Sequence, residues 1–311
     1  MIIDIPDTTV SQVGKQLVKV REEGGAVALG RVLTLIIAAR KGVAEAAIEA
    51  ANDASREHPM RVIVLTAGEG ESRLDAQIRV GGDAGASEVV VLRAYGDAAS
   101  NAESLVTGLL LPDAPVVVWW PDEAPTDAAE SPLGRIAQRR ITDAATTPDV
   151  RDRLSLLGKT HAPGDTDLAW TRLTHWREQL AAVLDQPPFE EVTSAEVRGA
   201  AASPSTALLA AWLQMALQVR VTWSYEDPAE WQEGIKSVRL SRASGDILLE
   251  RPSPTVAVLT QPGQPDHELH LPRRTLRECL AEELRRLDAD LLYGRVITEG
   301  WSRLGPPEQR A

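Results

Sequence analysis

The chain has 311 residues, 43% hydrophobic and 25% charged, with a formal net charge of −12. That length allows one large or two ordinary domains with cores of their own. Acidity of this size excludes nucleic acid and anionic membrane, which select basic patches, and leaves proteins or small molecules as partners.

The chain opens as a short extended piece, turns at Pro6-Asp7, and continues as a helix from Ser11 to about Glu23 that Gly24-Gly25 ends. An unbroken apolar strand over Val32 to Ala39 is followed by an alanine-rich helix over 42–58 and by the strand MRVIVLTAG, which ends at Gly68. Strands this apolar in β-α-β order predict a parallel sheet covered on both faces. AQIRV (76–80) and EVVVLRAY (88–95) read as strands around the loop 81–85, and AASNAESLVTGLLL (98–111) as one helix. PVVVWW (115–120) is a buried strand ended by Pro121; SPLGRIAQRR (131–140) and DVRDRLSLLG (149–158) read as helices. Residues 1–163 therefore form an expected α/β domain with a doubly wound, mostly parallel, Rossmann-like sheet.

HAPGD (161–165) reads as a linker. Beyond it Ala169, Leu173, Trp176, Leu180 and Leu184 recur at helical spacing, and Asp165, Thr166 and Asp167 can cap the first turn. Pro187-Pro188 stops this helix. Arg177 falls on the edge of its apolar stripe, beside Trp170, where a paired arginine of a core helix and an arginine at an interface are both open readings. FEEVTSAEVRGAA reads as a strand, and Ser203-Pro204 opens a helix as cap and first residue. Five short strands with turn punctuation follow and fit an antiparallel sheet with one wet face. Thr275 and Glu278 form a capping box for a helix bearing Leu276, Leu280, Leu284, Leu287 and Leu291. Residues 164–304 form an expected α+β domain, and 305–311 a disordered tail.

Catalytic signatures are absent. No glycine fingerprint follows a strand of the first domain, so the Rossmann-like sheet does not read as a dehydrogenase, and no cofactor is expected. His267 and His270 of HELH would point to opposite faces of a strand, which does not suit a metal. Cys279 is the sole cysteine, excludes an intrachain disulfide, suits a reducing cytoplasm, and reads as a small buried hydrophobe. No charged-then-apolar stretch opens the sequence and no run of ~18 apolar residues occurs in it, so neither a signal peptide nor a bilayer span is expected. Trp119 and Trp120 end a parallel strand, where α/β sheets hold ligands. They face opposite sides, so at most one lines that crevice.

DLAWTRLTHWREQLAAVLD, together with SREHPMRVIVL (55–65), LDAQIRVGGDAGASEVVVLR (74–93), LLLPDAPVVVWWPDEAP (109–125) and RTLRECLAEELRRLDAD (274–290), resembles the OpcA family. These are glucose-6-phosphate dehydrogenase assembly proteins of actinobacteria and cyanobacteria. The resemblance implies a non-catalytic cytoplasmic protein that binds that dehydrogenase, promotes its active oligomer and raises its response to substrate, in the NADPH-producing oxidative pentose phosphate pathway. With Cys279 alone, the dithiol control associated with cyanobacterial members cannot operate within this chain. Asp167, Trp170, Arg172, Trp176, Arg177, Trp119 and Trp120 are the candidates for a partner or domain interface. The alternative is a sensor or enzyme that takes a sugar phosphate in the crevice of the first domain.

Overall fold

The computed structural model describes residues 1–23, 32–81 and 88–308. The expected Gly24-Gly25 stop and the loop residues 82–85 lie outside the described residues. Strands β1 (Ile2–Ile5), β2 (Leu33–Ala38), β3 (Met60–Gly68), β4 (Arg73–Arg79), β5 (Glu88–Tyr95), β6 (Val116–Trp119), β7 (Arg139–Thr142) and β8 (Asp165–Asp167) form one sheet in the order β1-β4-β5-β3-β2-β6-β7-β8. The core is parallel from β5 through β3, β2 and β6 to β7; on one side β4 runs antiparallel to β5, and β1, antiparallel to β4, runs with the core again. The doubly wound, mostly parallel sheet is thus as its apolar strands predict.

Helices α1 (Val10–Glu23) and α3 (Ala102–Thr107) lie with one face of this sheet. Val13, Leu17 and Leu105 pack there with Ile36, Ile63, Val90 and Val118. Helix α2 (Ala44–Ala54) packs with α9 (Leu276–Arg285). The expected helix over 98–111 is a short 3-10 turn at Gly96–Ser100 and then α3, because Asn101 restarts the helix by accepting from the Ser104 N–H at 3.1 Å.

The expected helix over 131–140 stops at Arg135: α4 is Pro132–Arg135, and Arg139 and Arg140 belong to β7. A strand sends neighbouring side chains to opposite faces, and here each guanidinium finds its own carboxylate. Arg139 bonds Glu283, and Arg140 bonds Asp165. Glu283 also accepts from Thr166 Oγ1 at 3.3 Å, and Arg139 Nη1 donates to the Asp288 carbonyl at 2.7 Å.

Helices α5 (Val150–Thr160), α6 (Leu168–Thr171), α7 (Thr174–Leu184) and α8 (Pro204–Leu217) accompany a second sheet of β9 (Ser194–Gly199), β10 (Arg220–Tyr225), β11 (Ile235–Ser241), β12 (Ile247–Glu250), β13 (Val256–Thr260) and β14 (His267–His270). Its order is β10-β9-β11-β12-β13-β14. All pairs are antiparallel except β9 with β10, which a sheet of hairpins alone cannot supply. Helix α8 is the crossover that this parallel pair needs, and its first residues, Pro204 to Ala211, are buried all round.

Two compact units result, and neither is contiguous in sequence. The first contains Met1–Thr146, Gly164–Thr166 and Leu276–Ala289; the second contains Thr147–Pro163, Asp167–Thr275 and Asp290–Ala311. A single cut at 163/164 therefore differs from the structure in three places, the shortest being Gly164–Thr166, which belongs to the first unit. Helix α5 belongs to the second unit, where Gly158 lies against the Ile297 carbonyl, and α9 belongs to the first, where it meets α2.

HAPGD is not a loose linker. Gly164, at φ +97, accepts from the Arg140 N–H at 2.9 Å, and a Cβ there would collide with the Gln138 carbonyl. Helix α9 ends at Arg285, so Leu287 lies beyond it and Leu291 starts the separate α10 (Leu291–Arg295) with its side chain exposed. Of the tail expected to be disordered, residues 305–308 are described and are held in place. Trp223 Nε1 donates to the Gly305 carbonyl at 2.8 Å, and Glu308 bridges Ser224. Among the described residues no helix is long and apolar enough to cross a membrane.

Candidate functional site

The segment 165–185 is two helices and not one. Asp167 is fully buried and starts α6 by accepting from the Ala169 N–H at 2.9 Å. The break falls at Arg172-Leu173, where the Leu173 N–H bonds Trp170 three residues back. The cause lies in the threonines. The Thr171 carbonyl is taken by Thr174 Oγ1 at 3.0 Å and by Arg274 Nη1 at 2.8 Å, so it leaves the helical ladder. Ala169, Leu173, Trp176 and Leu180 are buried as their spacing predicts.

The two tryptophans of this segment each carry an arginine. Arg177 Cζ lies 3.8 Å from the centre of the Trp170 ring, and Arg251 Cζ lies 5.1 Å from that of Trp176. Trp170 is buried, and its Nε1 donates to Asp290 Oδ2 at 2.8 Å. Asp290 Oδ1 in turn caps α10 by accepting from the Tyr293 N–H at 2.9 Å. The Tyr293 ring sits 6.0 Å from Trp170 and meets His161 edge-on at 5.6 Å. Arg177 is half-buried, and its Nη2 donates to Thr174 Oγ1 at 3.2 Å. Arg251 is almost fully buried, and its Nη2 donates to the Leu271 carbonyl at 2.9 Å. Burial, and then the nearby Arg273 charge, push its pKa down to about 10.

Five of the candidates thus fall within one stretch of the second unit. Asp167 caps, Trp170 and Trp176 are buried stacking platforms, Arg177 is stacked, and the half-buried Arg172 sits at the break. Trp119 and Trp120 belong to the first unit. Trp119 is fully buried and its Nε1 has no hydrogen-bond partner among the described residues. Trp120, on the opposite face, lines the crevice beyond the strand ends. Sequence reasoning missed Asp290, Tyr293 and Arg251. Asp290 had a local signal, since an aspartate three residues before a Tyr-Gly pair can cap a new helix. Arg251 had none, because its partner ring is remote in sequence.

A platform of this kind has no nucleophile beside a base and no converging metal ligands; among the described residues no group of three or more His, Cys, Asp or Glu side chains could hold a metal. What it offers is a half-buried guanidinium seated over the face of an indole.

Residues 51–159 match the family model described as the glucose-6-phosphate dehydrogenase subunit N-terminal domain. Residues 163–297 match the model described as its C-terminal domain. No curated protein sequence matches the chain. Among solved structures the chain is similar to a NAD-binding oxidoreductase from Klebsiella pneumoniae, with 10% identity, a TM-score of 0.44, and 88% of this chain and 96% of that one covered. It is also similar to glucose-6-phosphate 1-dehydrogenase from Mycobacterium avium, with 11% identity, a TM-score of 0.45, and coverage of 88% and 91%. Likenesses at these scores carry no argument about this chain.

Proposed function

This chain belongs to the OpcA family of glucose-6-phosphate dehydrogenase subunits, and from that membership we propose that it is a non-catalytic activator of the dehydrogenase. The family supports an assembly role. The finer reading is that the chain binds the active oligomer of the enzyme in preference to inactive forms and so raises its response to substrate. Preference is required, because a ligand that binds two states equally shifts neither. The observation that carries the reading is the pair of family models in domain order over residues 51–297.

The Arg177–Trp170 platform is our choice for a dehydrogenase-facing surface, with Arg172 beside it. An arginine held on a ring and only half-buried, as Arg177 is, suits an interface, where arginine and tryptophan dominate binding.

Mixing the purified chain with glucose-6-phosphate dehydrogenase, and measuring both turnover and mass, tests the reading. An activator changes the kinetics and the mass of the complex. A passive scaffold changes mass alone, and an unrelated enzyme changes neither. Sustained hydride transfer by the chain alone would falsify the non-catalytic assignment.

A further inference from the structure

The first unit contains a crevice of about 450 Å3. It lies beyond the C-terminal ends of the parallel strands, with walls from Ala38 and Ala39 after β2, Leu65 to Ala67 of β3, and Trp120 and Asp122 after β6. The chain moves outward from β2 through β3 to β5 on one side, then returns to β6 on the other. The crevice therefore sits at the topological switch point, where open α/β sheets take ligands. Its volume is in the range of about 300–1,000 Å3 usual for small-molecule pockets.

The lining states what would fit. Alanines at 38, 39, 67, 94, 99, 102 and 124 keep the walls close to the backbone, and the exposed 5% of Trp120 adds an aromatic strip to one wall. That is a slot for a planar ring. Asp122 is buried, and its Oδ2 accepts both the Arg40 backbone N–H at 3.1 Å and Arg40 Nε at 2.9 Å. Asp122 Oδ1 has no hydrogen-bond partner among the described residues, so one oxygen of a fixed carboxylate remains to accept a hydroxyl. Glu123 adds a second carboxylate at the rim, 3.1 Å from Arg40 Nη1.

A phosphate does not fit. Arg40 is the single cation of the lining against two acids, and it is bonded to both. The helix that follows β2 carries Glu45 in its first turn, where an anion site needs bare N–H groups and no negative charge.

We propose that this crevice binds an uncharged nucleoside, with its base against Trp120 in the alanine slot and a ribose hydroxyl on Asp122. The proposal stands apart from the assembly role, and its test uses the chain alone, so failure of one leaves the other intact. Calorimetric titration of the full chain with adenosine, AMP and D-ribose provides the measurement. Adenosine should saturate one site, AMP should bind at least roughly tenfold more weakly, and ribose more weakly still. Ala67→Leu, at an exposed rim position, and Ala102→Leu should each weaken adenosine by roughly tenfold or more without shifting the thermal transition. Asp122→Asn should weaken it too, and adenosine should then lose its advantage over 2′,3′-dideoxyadenosine. Three outcomes overturn the proposal: no saturation by adenosine at millimolar concentration, AMP binding as tightly as adenosine, or wild-type affinity in both leucine variants.

Discussion

Arg177 holds its guanidinium 3.8 Å above Trp170, and the same indole donates its N–H to Asp290 at 2.8 Å. One ring thus serves a cation on its face and an anion at its edge, as the quadrupole of an indole favours. Arg177→Ala should cost only about 0.5–2 kcal/mol of stability, the worth of a cation–π contact. On the proposed function it should weaken dehydrogenase binding by more than that loss explains, and Arg177→Lys should rescue poorly. Thermal unfolding beside a titration against the dehydrogenase decides this. Binding lost only in step with unfolded protein would reduce the platform to packing.

Trp170→Phe keeps a ring under Arg177 and deletes the donor to Asp290. The carboxylate is then left with one backbone partner, and the cost should be about 1–3 kcal/mol. Trp176→Ala removes a buried indole and should cost on the order of 3–5 kcal/mol. Urea unfolding of the two variants should keep that order; a reversal would show that the Asp290 bond, and not burial, dominates the segment.

The Arg139–Glu283 pair is buried on both sides, with each side chain 5% exposed. Arg139→Met should destabilise by about 3–5 kcal/mol, because it strands a buried carboxylate. Arg139→Met combined with Glu283→Leu should recover much of that loss. A double variant as unstable as the sum of the single ones would show that the two charges are not coupled, and would overturn this account.

Cys279 is buried on α9. Native alkylation should be slow and denatured alkylation fast, and Cys279→Ser should leave the response of the dehydrogenase to oxidant unchanged. A redox response that vanishes with the thiol would point instead to an intermolecular bridge.

Glu45 meets Arg79 through two bonds of 2.7 and 2.8 Å, and the hydrogen bonds from Arg79 hold its carboxyl below the ordinary 4.5. A depressed carboxylate contributes stability above its unfolded pKa and loses it as pH falls through the folded one. The gap in Tm between wild type and Glu45→Gln should therefore be present at pH 7 and close below pH 4.5. With Glu45 largely exposed, the gap should correspond to no more than about 1 kcal/mol.

The core of the first sheet was legible because its strands are buried on both faces. Runs such as Val62–Leu65 leave no other reading, and the alternating strands of the second sheet were equally plain. Arg139 and Arg140 misled, since two adjacent arginines extend a helical pattern as well as a strand. Their carboxylates lie 144 and 25 residues away, where no local pattern reaches. The break after Thr171 was hidden for the same reason: Arg274, which holds the carbonyl out of the helix, is 103 residues distant. In the candidate site the tryptophans were visible in the sequence, and so was Arg177 beside Trp170, but Arg251 on Trp176 became visible only with the fold.

The interleaving of the two units bears on how the chain is made. Synthesis delivers residues from the N-terminus, and domains usually fold as they emerge. The first unit cannot finish that way, because Leu276–Ala289 is its last segment. Until that segment leaves the ribosome, Arg139 lacks Glu283 and α2 lacks α9. By then Asp167–Thr275, the bulk of the second unit, has already been translated. A nascent chain halted near residue 163 should hold an exposed alanine-rich helix and a stranded arginine, and should engage chaperones, whereas one released past Ala289 should not.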